Sequence, residues 1–211
     1  GEGHVSSTIF RTGVILPDEN LIIDEAPRFS ARTRLAPDHH YEKSIFRRKL
    51  TEMSARLDTV DLVLDRLQES FTFVDLEHAT QALLEAGGDY ADTSGTVEGM
   101  LYLARSNYQL KLGPDADVSH LVLYPQSDGE SRGIEDMRLV RFVDDDGAVT
   151  YYGTYTAYDG AHTLPMLVET TDFKRIRVHT LNGAGALNKG MALFPRRING
   201  HYAMCSRIDG H

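Results

Sequence analysis

The chain has a single cysteine, Cys205, among its 211 residues, which excludes both an intrachain disulfide and a metal site built from several thiolates. No apolar run reaches the about eighteen residues that a membrane-spanning helix needs. The opening sequence GEGHVSSTIF has neither the basic start nor the apolar stretch of a signal peptide. We therefore expect a soluble protein in a reducing compartment, the cytoplasm.

Motifs for metal, nucleotide and serine chemistry are also missing. The nine histidines show neither an HExxH pattern nor a paired-ligand spacing, and neither a P-loop nor a GxSxG sequence occurs. The formal net charge is −9, with acidic and basic residues interspersed, which disfavours a nucleic-acid partner but leaves room for a local site that binds one small anion. We expect no metal, no nucleic-acid partner and no membrane partner.

The spacing of apolar residues divides the chain into three parts. Residues 1–36 contain β-branched runs separated by turn residues, which is typical of antiparallel strands. Residues 37–112 have helical spacing instead, and Asp75 is a candidate N-cap within them. Residues 113–211 return to a period of two, with short strands between Gly, Asp and Asn turns. The sequence predicts a mainly β protein of antiparallel hairpins with a helical insert.

Both ends of the chain suggest a piece of a larger domain. The sequence begins directly at a strand, and it stops at 207–211, where a strand reaches a turn and its partner is missing. A hairpin without its second strand leaves backbone groups unpaired. We expect the parent chain to continue on both sides, with a small complete domain as the alternative.

Two adjacent acids, Glu135 and Asp136, stand between a glycine turn and a predicted strand that starts at Met137. A rigid sheet presents a carboxylate at such a rim to solvent or to a ligand, which suits catalysis. The alternative is structural, with both acids capping the turn and pairing with Arg138 or Arg141.

The segment YYGTYTAYDG, residues 151–160, alternates aromatic and small residues before an Asp-Gly turn. Tyrosines beside a polar turn suit sugar rings, whose C–H faces pack on aromatic rings while their hydroxyls form hydrogen bonds. Tyrosines that only pack across neighbouring strands are the alternative.

The segment NKGMALFPRRINGHYAMCSR predicts a hairpin that turns at Asn199 and Gly200. Folding it there brings Lys189 and Arg207 to the same open end, where two cations repel each other unless an anion lies between them. The pair predicts a phosphate or carboxylate site, with two solvated surface charges as the alternative. Arg196 and Arg197, at the opposite end, are interpreted as ordinary surface charges.

Several segments occur in the same order as in one known family. They are GEGHVSS with FRTG, then GIEDMRLVRF, YYGTYTAYDG, ETTDF and NKGMALFPRRINGHYAMCSR. Together they make the chain resemble the β-mannoside phosphorylases of glycoside hydrolase family 130. The resemblance covers the start and nearly everything from Ser119 onward, and it leaves the helical stretch unexplained. Met137 departs from the proline or alanine that relatives often carry.

This resemblance implies a five-bladed β-propeller with its active site in the central channel. About 135 residues lie outside the helical stretch, too few for five blades of four strands each. We therefore expect a partial propeller formed by 1–36 and 113–211, with 37–112 as the helical insert.

The resemblance also implies roles for individual residues. Asp136 matches the family's general acid, which protonates the leaving oxygen through the mannose 3-hydroxyl, and Lys189 and Arg207 match its phosphate ligands. The residues that would bind the sugar are Glu135, Tyr158 and Asp159. Inorganic phosphate is then the co-substrate, and no other cofactor is implied.

These roles imply inverting phosphorolysis of a β-mannoside oligosaccharide to α-mannose 1-phosphate, because phosphate arrives already anionic and needs cations rather than a base. Hydrolysis is the alternative within the family, and it needs a second carboxylate roughly 6.5–9.5 Å from the acid to activate water. A non-catalytic sugar-binding module, with the helical insert forming homo-oligomer contacts, is the alternative from another class.

We expect the 211-residue chain by itself to be inactive, because all the blades of a propeller jointly form its channel. The measurement is release of mannose or mannose 1-phosphate from a β-mannobiose by the purified chain, compared with a blank purification. Turnover that co-purifies with the chain would contradict this expectation.

Overall fold

The protein is mainly β, with four helices in the part of the chain that the structure describes. A computed structural model describes residues 5–27, 30, 33–36, 39–87, 90–186 and 189–207. The strands are β1 (Thr8–Ile9), β2 (Gly13–Ile15), β3 (Leu21–Ile23), β4 (Thr33–Leu35), β5 (His40–Glu42), β6 (Ser70–Thr72), β7 (Tyr108–Leu112), β8 (Val122–Leu123), β9 (Gly133–Val143), β10 (Val149–Tyr158), β11 (Thr163–Thr170), β12 (Arg175–Thr180), β13 (Ala192–Leu193) and β14 (Met204–Cys205). The helices are α1 (Lys43–Glu52), α2 (Leu57–Leu64), α3 (Phe73–Glu85) and α4 (Tyr90–Ser106).

Six antiparallel strands form the main sheet, in the order β4-β7-β12-β11-β10-β9. Strands β9 to β12 are neighbours in chain order because tight turns join them, as at Gly147 and Gly160, whose φ values are 85° and 104°. Buried residues alternate with less buried ones along β7 and β12, since one face of the sheet covers the core. That core includes Leu110, Leu121, Met166, Val168, Ile176 and Val178.

A separate apolar cluster holds the helices together. Its buried members include Leu50, Val60, Val63, Phe71, Leu76, Met100 and Leu103. Helix α3 begins with a capping box, in which the Asp75 N–H donates to Thr72 Oγ1 at 3.2 Å and the Thr72 N–H donates to Asp75 Oδ2 at 2.8 Å. The N-cap is therefore Thr72, and the prediction of Asp75 as the N-cap is wrong. Asp75 lies within the first turn of the helix, where its carboxylate accepts the Thr72 N–H.

The four helices lie between residues 43 and 106, within the predicted insert, whereas β7 pairs with β12 and β4 and so belongs to the main sheet. None of the sheets in the described ranges closes into a barrel. The division into domains and the propeller stay predictions. Among the described residues, no helix combines the length and the apolar character needed to cross a membrane.

The predicted hairpin near the C-terminus is confirmed. Ala192 pairs with Cys205 and Leu193 with Met204 in antiparallel register. The turn residues Asn199 and Gly200 have φ values of 52° and 76°, as a tight two-residue hairpin turn requires.

The turn end of this hairpin is fastened to the main sheet by Arg197. Its guanidinium donates two hydrogen bonds to the Asp144 carboxylate, at 2.6 and 3.0 Å. It also lies 4.4 Å from the ring centroid of Tyr202, which packs on Phe142 of β9 with a centroid distance of 5.0 Å. The interpretation of Arg197 as an ordinary surface charge is wrong, because it forms hydrogen bonds with Asp144, which is distant in sequence.

The Arg197–Asp144 pair should make stability depend on pH. Hydrogen bonds from Arg197, the largest cause, and from the Asp145 N–H lower the pKa of Asp144 from 3.8 to about 2. Because the folded-state pKa lies below the unfolded one, the pair stabilises the fold above about pH 4, and this contribution is lost as the pH falls toward 2. The stability difference between the wild-type chain and Arg197→Gln, measured by denaturant unfolding, should shrink across that range.

The matched control for this test is Arg196→Gln, which changes an exposed neighbour in the same turn. Its stability should differ little from that of the wild-type chain at either pH. An Arg197→Gln effect that stays constant from pH 7 to pH 2 would contradict the assignment to this pair.

Candidate active site

A β-bulge in β9 contains Asp136. Asp136 and Met137 together face the single residue Tyr155 of β10, whereas the pairing is one to one on either side. Asp136 has a φ of 54°, in the left-handed region that costs a residue other than glycine about 1–2 kcal/mol. Bulges and strained residues concentrate at active sites, where they redirect a side chain. Asp136 is exposed, so a ligand can reach its carboxylate.

The extra residue of the bulge places Glu135 and Arg138 on the same face of the sheet. Residues three apart in a regular strand point to opposite faces. Here the partners on β10 are Thr156 and Thr154, which are two residues apart and therefore share a face. A carboxylate and a guanidinium thus flank Asp136 on one face.

The segment that precedes β13 crosses this face and brings Lys189 to it. The Thr154 hydroxyl donates a hydrogen bond to the Met191 carbonyl oxygen and so holds the segment on β10. Lys189 Nζ lies 3.9 Å from Glu135 Oε2. Both side chains are about one-third exposed, so the ion pair contributes at most about 1 kcal/mol and leaves Lys189 able to serve a ligand.

Arg138 and Arg207 both lie next to Gly190. Arg138 Nη1 donates a hydrogen bond to the Gly190 carbonyl oxygen at 3.2 Å. A Cβ added to Gly190 would lie 3.7 Å from the Arg207 Cβ and 3.8 Å from Arg138 Nη2. We call Arg138, Lys189 and Arg207 the cationic cluster.

The structure brings four of the predicted site residues into one region, namely Glu135, Asp136, Lys189 and Arg207. It adds Arg138, which sequence reasoning had treated only as a partner for the two acids. The sequence carries no clear signal for this residue, because its face depends on a bulge that apolar alternation does not reveal.

Tyr158 and Asp159 lie at the far end of β10. Tyr158 is three residues from the bulge partner Tyr155, roughly 10 Å along the strand, and its hydroxyl donates to the Gly160 carbonyl oxygen. Asp159 Oδ1 accepts the N–H groups of Ala161 and His162 at 2.8 and 2.6 Å. Burial opposes ionisation of Asp159, but these hydrogen bonds outweigh it and lower its pKa. Both side chains serve the turn here, and their contact with sugar stays a prediction.

A half-enclosed cleft of about 140 Å³ lies elsewhere, between α1 and β12, and is lined partly by Tyr41, Phe46 and His179. In the sheet, β12 is separated from β9 by two strands, so this cleft does not adjoin the cationic cluster. Burial lowers the pKa of His179, which favours a neutral ring there. Within the described ranges, no group of three or more His, Cys, Asp and Glu side chains could hold a metal ion.

No family model matches the chain. No curated protein matches it either. Among solved structures, the chain is similar to a β-1,2-mannobiose phosphorylase from Listeria innocua in complex with β-1,2-mannobiose, with 25% sequence identity and a TM-score of 0.33. The similarity covers 46% of this chain and 27% of that enzyme, so the chain spans about a quarter of its length.

The strain at Asp136 predicts an unusual order of stability. Asp136→Gly should be more stable than Asp136→Ala by roughly 0.5–1 kcal/mol, because the left-handed backbone costs alanine more than the additional entropy that glycine loses. Denaturant unfolding of the two variants measures this difference. The same pair of substitutions at Arg141, an exposed position with regular pairing, should give the opposite order. A more stable alanine at position 136 would contradict the prediction.

Proposed function

We propose that the bulge and the cationic cluster form part of the active site of a β-mannoside phosphorylase, with Asp136 as the general acid. The observation that carries the proposal is the convergence of Arg138, Lys189 and Arg207 beside a strained, exposed carboxylate. The resemblance of the sequence to glycoside hydrolase family 130 supplies the substrate class.

The proposed reaction breaks the bond between the anomeric carbon of mannose and the leaving oxygen. Asp136 gives its proton to the mannose 3-hydroxyl, which passes its own proton to the leaving oxygen, and a phosphate oxygen forms the new bond to the anomeric carbon from the opposite face. The β-linkage is thereby inverted to α-mannose 1-phosphate. Phosphorolysis needs only one acid, because the nucleophile arrives as an anion.

The charges of the site support an anionic nucleophile. Two carboxylates, those of Glu135 and Asp136, accompany the three cations, so the group carries one net positive charge and two when Asp136 holds the proton. Hydrogen bonds from cations to phosphate are the strong, charge-assisted kind, and the guanidinium fork matches its oxygens. The protonated form of Asp136, which a general acid needs, is therefore also the form in which the site attracts phosphate more strongly.

Glu135 fits a role in substrate binding better than one in activating water. It is adjacent to Asp136 in the chain and forms an ion pair with Lys189 at 3.9 Å. A hydrolase would need its base across the sugar from the acid, roughly 6.5–9.5 Å away. We propose that Glu135 and, further along the sheet, Tyr158 and Asp159 contact the sugar.

Substitutions in the full-length protein distinguish phosphate from water as the nucleophile. Alanine at Arg138, Lys189 or Arg207 should weaken phosphate use by roughly tenfold or more, since each charge-assisted hydrogen bond contributes about 1.5–3 kcal/mol. Asp136→Asn should lower turnover about 10²–10⁴-fold whatever the nucleophile, because the proton donor is lost. Mannose 1-phosphate and free mannose are measured from a β-mannobiose over a range of phosphate concentrations.

Arg141→Ala is the matched control, since it removes an exposed arginine from the same strand outside the cluster. It should leave the phosphate dependence unchanged. Release of free mannose at a rate indifferent to phosphate would instead favour the hydrolase. Sugar binding without turnover in the full-length protein would favour the non-catalytic module.

A further inference from the structure

The carboxylate of Glu130 is fully buried and accepts hydrogen bonds from five donor groups. Two come from tyrosine hydroxyls, that of Tyr108 at 2.9 Å and that of Tyr155. The backbone N–H groups of Gln126 and Ser127 donate at 2.8 and 3.0 Å, and the Ser127 hydroxyl donates at 3.1 Å. A buried carboxylate with this many donors fixes the positions of the groups around it.

The two tyrosines share one acceptor but lie in different parts of the sheet. Tyr155 is the β10 residue that the bulge residues Asp136 and Met137 face. Tyr108 lies on β7, which is separated from β10 by β12 and β11. Burial raises the pKa of both hydroxyls well above its usual range, so both stay protonated and donate.

The ladder pairing along the bulge comes from β10. The other edge of β9 is held just before the bulge by Ser6, which bridges to Gly133 and accepts the Ile134 N–H at 3.1 Å. The strained backbone of Asp136 persists only if its surroundings hold it in place. The residue on β10 that faces the bulge is therefore well placed to fix the position of Asp136.

We propose that Tyr155, anchored by Glu130, is a positioning residue for Asp136. The inference rests on the proposed function, since it concerns the alignment of the proton donor. Loss of the Tyr155 hydroxyl frees the side chain to shift, and the bulge shifts with it. A displacement of about 1 Å at a catalytic group can cost about a hundredfold in rate.

The test compares Tyr155→Phe with Tyr108→Phe in the full-length protein. Each variant takes one hydroxyl donor from Glu130, so both should lose stability. Only Tyr155→Phe should lower kcat, on the order of tenfold to a hundredfold. The KM for phosphate should change less than kcat, because Lys189 and Arg207 lie outside β9 and only Arg138 moves with the bulge. Equal kcat losses in the two variants, or none in either, would overturn the proposal.

Amide hydrogen exchange in the 211-residue chain gives a readout independent of activity. Exchange across 135–138 should quicken in Tyr155→Phe and not in Tyr108→Phe, and unchanged exchange in both would overturn the inference. Asp136→Asn belongs in the same kinetic series. If that variant keeps wild-type turnover, the proposed function fails, and the exchange data still decide whether Tyr155 holds the bulge.

Discussion

Burial of the Glu130 carboxylate is the constraint that organises the region around the candidate site. A carboxylate removed from water costs several kcal/mol unless hydrogen-bond donors replace the water. Its donors come from β7, from β10 and from the turn that precedes β9, so these segments must converge for the chain to fold. The helices join at the same point through Gly129, where an added Cβ would lie 2.7 Å from the Tyr102 hydroxyl of α4. The helical cluster and the sheet therefore meet at this turn, as they also do where Lys49 of α1 donates to the Leu181 carbonyl oxygen just after β12.

The acid and the cations of the site are supported in different ways. Asp136 lies on a strained backbone within a sheet, which limits its movement. Lys189 and Arg207 extend on long side chains from a short hairpin whose far end is tied down by Arg197. Proton transfer to a leaving oxygen requires close alignment, whereas a mobile anion can be held by side chains that adjust to it. The arrangement matches these two demands.

Features that depend on neighbouring residues could be predicted from the sequence. The turn at Asn199 and Gly200 was predicted because few other residues adopt positive φ so readily, and it also led to the grouping of Lys189 with Arg207. Helix positions followed from apolar spacing, although the cap of α3 was misplaced by one turn because aspartate is favourable both at the N-cap and inside the first turn.

Features that depend on distant pairing could not be predicted. The segment of β7 was assigned to the helical part because nothing local shows that it pairs with β12 across more than sixty residues. Arg138 and Glu130 were missed for the same reason, since the first depends on a bulge and the second on tyrosines from two other strands. The proposed acid could be named from its motif, but the support beneath it is visible only in three dimensions.

The single cysteine of the chain offers a practical consequence of the hairpin register. Cys205 is exposed and pairs with Ala192, two residues before Arg207 along β14 and its extension. A thiol-directed fluorophore would therefore label the chain at one defined position beside the cationic cluster. Anion binding could then be followed as a change in emission, without a substrate, a product or a complete catalytic cycle.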